Sequence, residues 1–356
     1  MLPVVREIDK RSGMTGLVAV TGQHREMLDQ ILGPFDIHCD YDLNVMTGRQ
    51  SLDAVASRVI ERMTPVLQAA QPDVVLVQGD TTSALSACIS AVYARVPVGH
   101  IEAGLRTGDK WSPFPEEMNR RAVSSLADYH FAPTSLAKMN LIRNGVSETD
   151  IWVTGNTVID ALHMGISMGA HVDPLVASRV NPGTKMILVT MHRRENLGRR
   201  LRDVMRAIRR VAQDRADVLF VYPMHKNPAV RSDVLDLLGD EPRVLLIESQ
   251  EYLPFVQLMK SCSFIVTDSG GIQEEAPSLD KPVLCVREDS ERMEAVEVGA
   301  VQLVGTATDD VQRAICRLLD DEAYYASMAC VPNPFGDGSA ARRIVDALSG
   351  MPELRR

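Results

Sequence analysis

Three acidic positions stand at the ends of elements, two where an apolar run gives way to a turn and one at a helix start, and acids so placed can move protons. Asp80 lies in Gln78-Gly79-Asp80-Thr81-Thr82, at the end of the run Val74–Gln78. Glu102 lies in His100-Ile101-Glu102-Ala103-Gly104-Leu105-Arg106-Thr107, at the end of Val96–Ile101. Glu116 lies in Pro113-Phe114-Pro115-Glu116-Glu117-Met118-Asn119-Arg120, where Pro115 pre-sets a helix start. Carboxylates in different surroundings have their pKa values pushed apart, so that one serves as acid while another stays a base. Each also has an ordinary reading: Asp80 as a helix N-cap, Glu102 as a solvated loop acid, Glu116 and Glu117 as complements to a helix dipole. The convergence of all three is what points to acid–base chemistry.

The second half offers positive groups and a phosphate cradle. Met191-His192-Arg193-Arg194-Glu195-Asn196 follows the run Met186–Thr190, and Pro223-Met224-His225-Lys226-Asn227-Pro228 follows Val218–Tyr222. Asp268-Ser269-Gly270-Gly271-Ile272-Gln273-Glu274-Glu275 follows Phe264–Thr267. Glycines at a helix N-terminus expose backbone N–H groups to an anion, and the helix dipole favours negative charge there. Glu275, one to two turns into that helix, could reach ribose hydroxyls. Arg287 and Arg292 follow Val283–Val286. Either could neutralise a diphosphate, and either could be a plain surface arginine.

The elements that must position these residues are short β-branched runs alternating with longer helical patterns. The remaining runs are Leu17–Thr21, Tyr129–Ala132, Ile151–Thr154, Val244–Ile247 and Gln302–Val304. Runs such as Val74-Val75-Leu76-Val77 are apolar on both faces, as parallel strands covered by helices on both sides must be. The alternation predicts an α/β fold of doubly wound parallel sheets, in which ligands sit at the carboxyl ends of the strands. Gly165–Gly183 carries Gly165, Gly169, Pro174, Pro182 and Gly183 without a strand pattern and reads as a domain boundary; the alternative is a single larger sheet. A loop at 332–338 precedes a helical pattern at Ala340–Leu348. The sequence opens on a helical pattern through Val4, Val5 and Ile8, so the strand that normally begins a doubly wound domain has no sequence here.

Composition excludes several classes. With 356 residues, 45% hydrophobic and 24% charged, the chain is globular in type. A net charge of −9 argues against general nucleic-acid binding, which needs a basic surface. The six cysteines (Cys39, Cys88, Cys262, Cys285, Cys316 and Cys330) form no C-x-x-C pair and no zinc spacing, and read as buried reduced thiols. No signal peptide and no apolar run of membrane-spanning length is present in the sequence given, so the expected location is the cytoplasm, with no membrane partner.

Taken together, the motifs resemble the non-hydrolysing UDP-N-acetylglucosamine 2-epimerases over nearly the whole chain. The matching pieces include Thr21-Gly22-Gln23-His24-Arg25-Glu26-Met27-Leu28, the three acidic motifs above, Gly155-Asn156-Thr157-Val158-Ile159-Asp160, His192-Arg193-Arg194-Glu195-Asn196 and Thr267–Pro277. The resemblance implies a GT-B-type fold of two Rossmann-like domains facing a cleft. The expected domains are 1–165, joined by a C-terminal helix at 340–356, and 166–339. It implies Asp80, Glu102, Glu116 and His192 as catalytic residues and Arg194, Ser269, Gly270, Gly271, Glu275 and Arg292 as substrate ligands. It implies Gln23, Glu26, Arg49 and His225 as a regulatory site for a second substrate molecule. Some relatives have Gln at the position of Glu26, and most have Pro where Met293 follows Arg292, a change expected to alter that loop.

The implied reaction is reversible C2 epimerisation of UDP-N-acetylglucosamine to UDP-N-acetylmannosamine through 2-acetamidoglucal, by elimination and re-addition of UDP. That chemistry needs no cofactor, neither nicotinamide nor metal. The implied setting is a homodimer supplying cell-envelope polysaccharide. Other readings are a hydrolysing relative that releases free N-acetylmannosamine, a retaining GT-B glycosyltransferase, or a nucleotide-sugar-binding protein without catalysis. The family opens with a strand ending in Gly-Thr-Arg-Pro-Glu, and this sequence starts just after that point. The expectation is therefore a start codon placed too late, and a longer chain that is more stable and more active.

Overall fold

The computed structural model describes residues 1–22, 32–47 and 50–350. The chain divides into two compact units, Met1–Ala161 with Phe335–Arg356, and Leu162–Pro334.

The first unit opens on helix α1 (Leu2–Asp9), where the sequence pattern predicts one. Strands β1 (Ala19–Val20) and β2 (Tyr41–Asp42) pair in parallel as a separate ribbon. Helix α2 (Leu52–Ala70) leads into βα alternation through β3 (Val75–Gln78), α3 (Thr82–Tyr93), β4 (Val98–Ile101), α4 (Glu116–Leu126), β5 (Tyr129–Ala132), α5 (Ser135–Arg143) and β6 (Ile151–Val153). Strands β3 to β6 form a parallel sheet in sequence order. One face is covered by α2 and α3 through Val55, Val59, Met63, Leu67 and Cys88, packed with Val75, Val77 and Val98. The other face buries Ile101 and Phe131 against Val4 of α1 and against Ile344 and Val345, far along the chain. Both faces are apolar because both are covered, which is why these strands read as continuous hydrophobic runs.

Helix α6 (Thr157–Met168) follows β6 and runs through Gly165, where a side chain would meet Leu253 at 3.3 Å. Gly165 therefore serves a close packing contact rather than a chain break. The second unit continues with α7 (Pro174–Arg179), β7 (Lys185–Thr190), α8 (Arg199–Asp214), β8 (Val218–Met224), α9 (Pro228–Leu238), β9 (Val244–Glu248), α10 (Tyr252–Ser261), β10 (Phe264–Thr267), α11 (Gly270–Glu275), β11 (Val283–Cys285), α12 (Met293–Glu297), β12 (Val301–Leu303), α13 (Thr308–Asp320) and α14 (Glu322–Ala329). Its six parallel strands are ordered β12-β11-β10-β7-β8-β9. The order runs outward in both directions from β7 and β10, as in a doubly wound Rossmann sheet, and the direction of growth reverses between those two strands. Helices α8, α9 and α13 bury one face of the sheet, through Val204, Ile208, Val211, Val230, Val234 and Ile315.

The chain then returns to the first unit with α15 (Ala340–Ser349). Asp160 fixes its start, accepting hydrogen bonds from the backbone N–H groups of Ala340 (3.1 Å) and Ala341 (2.9 Å). All six cysteines are free; Cys88, Cys262 and Cys285 are buried as expected, but Cys330 is exposed at the end of α14, where the chain turns outward. Among the described residues no helix is long and apolar enough to cross a membrane.

Candidate active site

In the first unit the chemistry gathers at the carboxyl ends of β3 and β4. After Gln78 the backbone turns at Gly79, whose φ of +72° is left-handed. The cap of α3 is Thr81, whose side chain accepts from the Ala84 N–H at 3.2 Å. The N-cap reading of Asp80 is thus incorrect, since the hydroxyl one residue later does that work. Asp80 instead faces Arg120 of α4, whose Nε lies 3.1 Å from Oδ2 and whose Nη2 bonds the same oxygen. Asn119 Nδ2 donates to the Asp80 carbonyl at 2.8 Å.

Glu102 comes directly after β4 with φ +65°, a left-handed conformation that costs a side-chain-bearing residue of order 1–3 kcal/mol and clusters at functional sites. Its carboxylate lies over Gly79, so close that a Cβ there would sit 3.5 Å from Oε2. Glu116 is the first residue of α4 and is partly exposed. Its neighbour Glu117 is wholly buried and fully engaged: Arg120 at 3.2 Å, Arg121 at 2.8 Å and the Thr107 N–H at 3.1 Å. Arg120 therefore ties Asp80 to Glu117, and Glu117 ties the loop after Glu102 to α4. A buried carboxylate persists only with partners of this kind.

In the second unit the site forms where β7 and β10 end side by side, their terminal Thr190 and Thr267 hydroxyls 2.6 Å apart. Asp268 is wholly buried and accepts from the backbone N–H groups of His192 (3.1 Å) and Arg193 (3.0 Å) and from Asn196 Nδ2 (3.0 Å). That one carboxylate shapes the turn after β7. The His192 ring is half-exposed, lies 3.6 Å from Asp268 and stacks on His225 at 5.8 Å between centroids. Burial lowers the His192 pKa against the pull of Asp268, with His225 and Arg193 adding to the fall, so the ring is neutral near pH 7.

Ser269 occupies the N-cap position of α11 without a capping bond from its side chain, and Gly270 faces two guanidinium groups. A Cβ at Gly270 would sit 3.3 Å from Arg292 Cζ and 3.4 Å from Arg193 Nη2, whereas Gly271 opens to free space. Arg292 is held by Glu274 at 2.7 Å and stands at the start of α12, so Met293 occupies the first helical position that proline would suit. Arg287 is buried and paired with Glu291 at 2.9 Å, which rules out the surface reading, and Arg193 and Arg292 lie beside the glycine turn. Glu275 is buried and accepts from the Tyr252 hydroxyl at 3.1 Å. Burial raises its carboxyl to about 7, the Tyr252 bond opposing and Glu274 reinforcing the shift.

Asp80, Glu102 and Glu116 thus share one rim in the first unit, and His192, Ser269, Gly270, Gly271, Glu275 and Arg292 share the strand-end crevice of the second. His225 joins the latter through His192. Gln23, Glu26 and Arg49 lie outside the described residues, as does the side chain of Arg194. Sequence reasoning gave no site role to Arg120, Asp268 or Tyr252, read Glu117 only as a complement to a helix dipole, and placed Arg193 only within a motif of positive groups. Asp268 was findable, since it is an acid immediately after a buried strand and before the glycine pair. Glu117 was masked by its place in the first turn of a helix, where acids are common.

Two Rossmann-like domains, one rimmed by carboxylates and one presenting a glycine turn between arginines, define a GT-B-like α/β protein. The family model described as UDP-N-acetylglucosamine 2-epimerase matches residues 6–349. The chain is 49% identical to the UDP-N-acetylglucosamine 2-epimerase of Escherichia coli strain K12, with 98% of this chain and 94% of that protein covered. Among solved structures it is similar to the UDP-GlcNAc 2-epimerase of Neisseria meningitidis bound to UDP-GlcNAc, at 45% identity and a TM-score of 0.89, covering 98% and 95% of the two chains. It is also similar to the Methanocaldococcus jannaschii UDP-GlcNAc 2-epimerase in complex with UDP-GlcNAc and UDP, at 31% identity and a TM-score of 0.79, with 98% and 95% covered. The chain belongs to the UDP-N-acetylglucosamine 2-epimerase family.

Proposed function

We propose that this protein interconverts UDP-N-acetylglucosamine and UDP-N-acetylmannosamine reversibly and without hydrolysis. The C2 proton of the sugar is not beside a carbonyl, so direct exchange is slow. When the C1–O bond breaks, its electron pair leaves with UDP, and positive character at C1 acidifies the C2–H. A carboxylate takes that proton and 2-acetamidoglucal forms. A proton then arrives at the opposite face of C2 as a UDP oxygen bonds C1 again. The reaction asks for acid–base groups on both faces, a positive clamp on the departing diphosphate and exclusion of water.

The observation that carries the reading is the rim network. The Glu102 carboxylate lies over Gly79, the residue before Asp80, and Arg120 links Asp80 to the helix that Glu116 begins. Arg193 and Arg292 beside Gly270 supply the clamp, and Glu275 is offered to the ribose. The relatives named above, one of them bound to UDP-GlcNAc, support the substrate. The reading brings with it a cytoplasmic homodimer activated by its own substrate, with UDP as the released and recaptured group and no cofactor.

The test is proton NMR of UDP-N-acetylglucosamine with the purified protein in heavy water. Deuterium is expected at C2 of the mannosamine product, with UDP-sugar conserved. Full retention of the original C2 proton overturns the mechanism, and accumulation of UDP with free N-acetylmannosamine identifies a hydrolysing enzyme.

A further inference from the structure

We propose that His100 is a positioning residue for the acid–base carboxylates, its Nε2–H holding the Gly79 carbonyl and thereby setting Asp80 against Glu102. The inference rests on the catalytic reading of those two carboxylates given above. His100 is wholly buried in β4, and its Nε2 lies 2.9 Å from the Gly79 oxygen. A carbonyl can only accept, so Nε2 carries the hydrogen and Nδ1 is bare. That Nδ1 is buried and has no hydrogen-bond partner among the described residues. An unpartnered buried nitrogen costs about 1–3 kcal/mol, which an apolar ring at the same place would avoid. On the same row of the sheet, Val77 of β3 and Ile151 of β6 are apolar, and between His100 and Ile151 stands a second buried histidine, His130 of β5. What distinguishes His100 from its neighbour His130 is the bond from Nε2 to the Gly79 carbonyl.

The target of that bond explains its use. Gly79 is the pivot between the end of β3 and Asp80, and glycine has wide backbone freedom. Its N–H already donates to the Ile101 carbonyl at 3.0 Å, which fixes the peptide plane before it. His100 fixes the plane after it, and because peptides are planar this orients the Asp80 N–H and Cα as well. Both anchors lie on β4, one and two residues before Glu102. Asp80 and Glu102 are therefore placed by a single strand end. Burial lowers the His100 pKa to about 3, the Gly79 bond opposing the shift, so the ring stays neutral and the clamp persists across the working pH range.

His100→Phe is expected to lower kcat about 10–100-fold, the scale of a carboxylate displaced by about 1 Å, with KM and UDP affinity changed less than about threefold. His100→Gln, whose amide nitrogen can reach the same carbonyl, is expected to recover kcat to within about threefold of the parent, with an unchanged pH profile. His130→Phe, on the next strand in the same row, is the packing control and should leave kcat intact. If the Phe variant does not fold, His100→Asn, too short to reach Gly79, takes its place with the same expectation. Nitrogen-15 NMR of the parent ring should show the neutral Nε2–H tautomer down to pH 5. The proposal is overturned by a fully active, folded His100→Phe, by a Gln variant as impaired as Phe, by an equal loss in His130→Phe, or by the Nδ1–H tautomer. Asp80→Asn in the same assay separates the two ideas: its full activity would defeat the catalytic reading, whereas its loss beside an active His100→Phe would defeat only the positioning role.

Discussion

Glu275 makes the stability of this protein pH-dependent in a direction opposite to most carboxylates. Its carboxyl is raised by burial from an ordinary 4.5 to about 7, and so between those values the folded chain keeps a proton that the unfolded chain has lost. Stability contributed at low pH is therefore lost as pH rises through the window from 4.5 to 7 and is flat above it. The difference between the two values corresponds to about 3 kcal/mol at 1.36 kcal/mol per pKa unit. Glu275→Gln keeps the shape and an oxygen for the Tyr252 hydroxyl but has no proton to lose. Near pH 5 parent and variant should melt together. By pH 8 the variant should melt higher by roughly 6–12 °C, taking about 2–4 °C per kcal/mol for a unit of this size. Thermal scans from pH 5 to 8 measure it. A melting-temperature gap that does not change with pH would show that Glu275 is not buried as a neutral acid. If the ribose hydroxyls do bond this carboxylate, UDP binding should also expel a proton near pH 6–7, visible by calorimetry in buffers of different ionisation enthalpy.

Other outcomes are expected from the site and its supports. Asp80→Asn, Glu102→Gln and Glu116→Gln should each lower kcat roughly 10²–10⁴-fold while UDP affinity changes little; three variants with near-normal kcat would remove these residues from the chemistry. Gly104→Ala should destabilise the protein by roughly 3 kcal/mol or more, since overpacking adds to left-handed strain. At Gly104 φ is +92° and an added methyl would sit 2.2 Å from the Ala137 carbonyl oxygen. A fall in melting temperature of under about 3 °C would contradict the geometry. Rates from UDP-N-acetylglucosamine should rise sigmoidally, and His225→Ala should change that cooperativity more than the chemistry; hyperbolic kinetics in the parent would end the regulatory reading.

The sheets were legible because two-sided burial writes itself as contiguous apolar runs, from Val75–Gln78 to Val301–Leu303. The ribbon strand Tyr41–Asp42 was not, being two residues long and partly exposed. At the site, residues placed just after a strand could be read, and pairings that cross between strands could not. Arg120 meets Asp80 across 40 residues of sequence, and Asn196 meets Asp268 across 72. Such pairs depend on which strands are neighbours, and local pattern carries no record of that. The same limit hid the fate of Arg287, which spacing offers as a ligand and the fold engages with Glu291.

The return of α15 to the first unit gives synthesis an order. The second unit is one continuous stretch, Leu162–Pro334, and can close as soon as it clears the ribosome. The first unit cannot, although most of it is made earlier, because Ile101 and Phe131 are covered by Ile344 and Val345. Until those residues emerge, half the sheet that carries Asp80 and Glu102 lies open to water and to other nascent chains. The domain translated first is thus completed last, and its exposure to misassociation lasts from the making of its last strand, Ile151–Val153, until Ile344 and Val345 emerge.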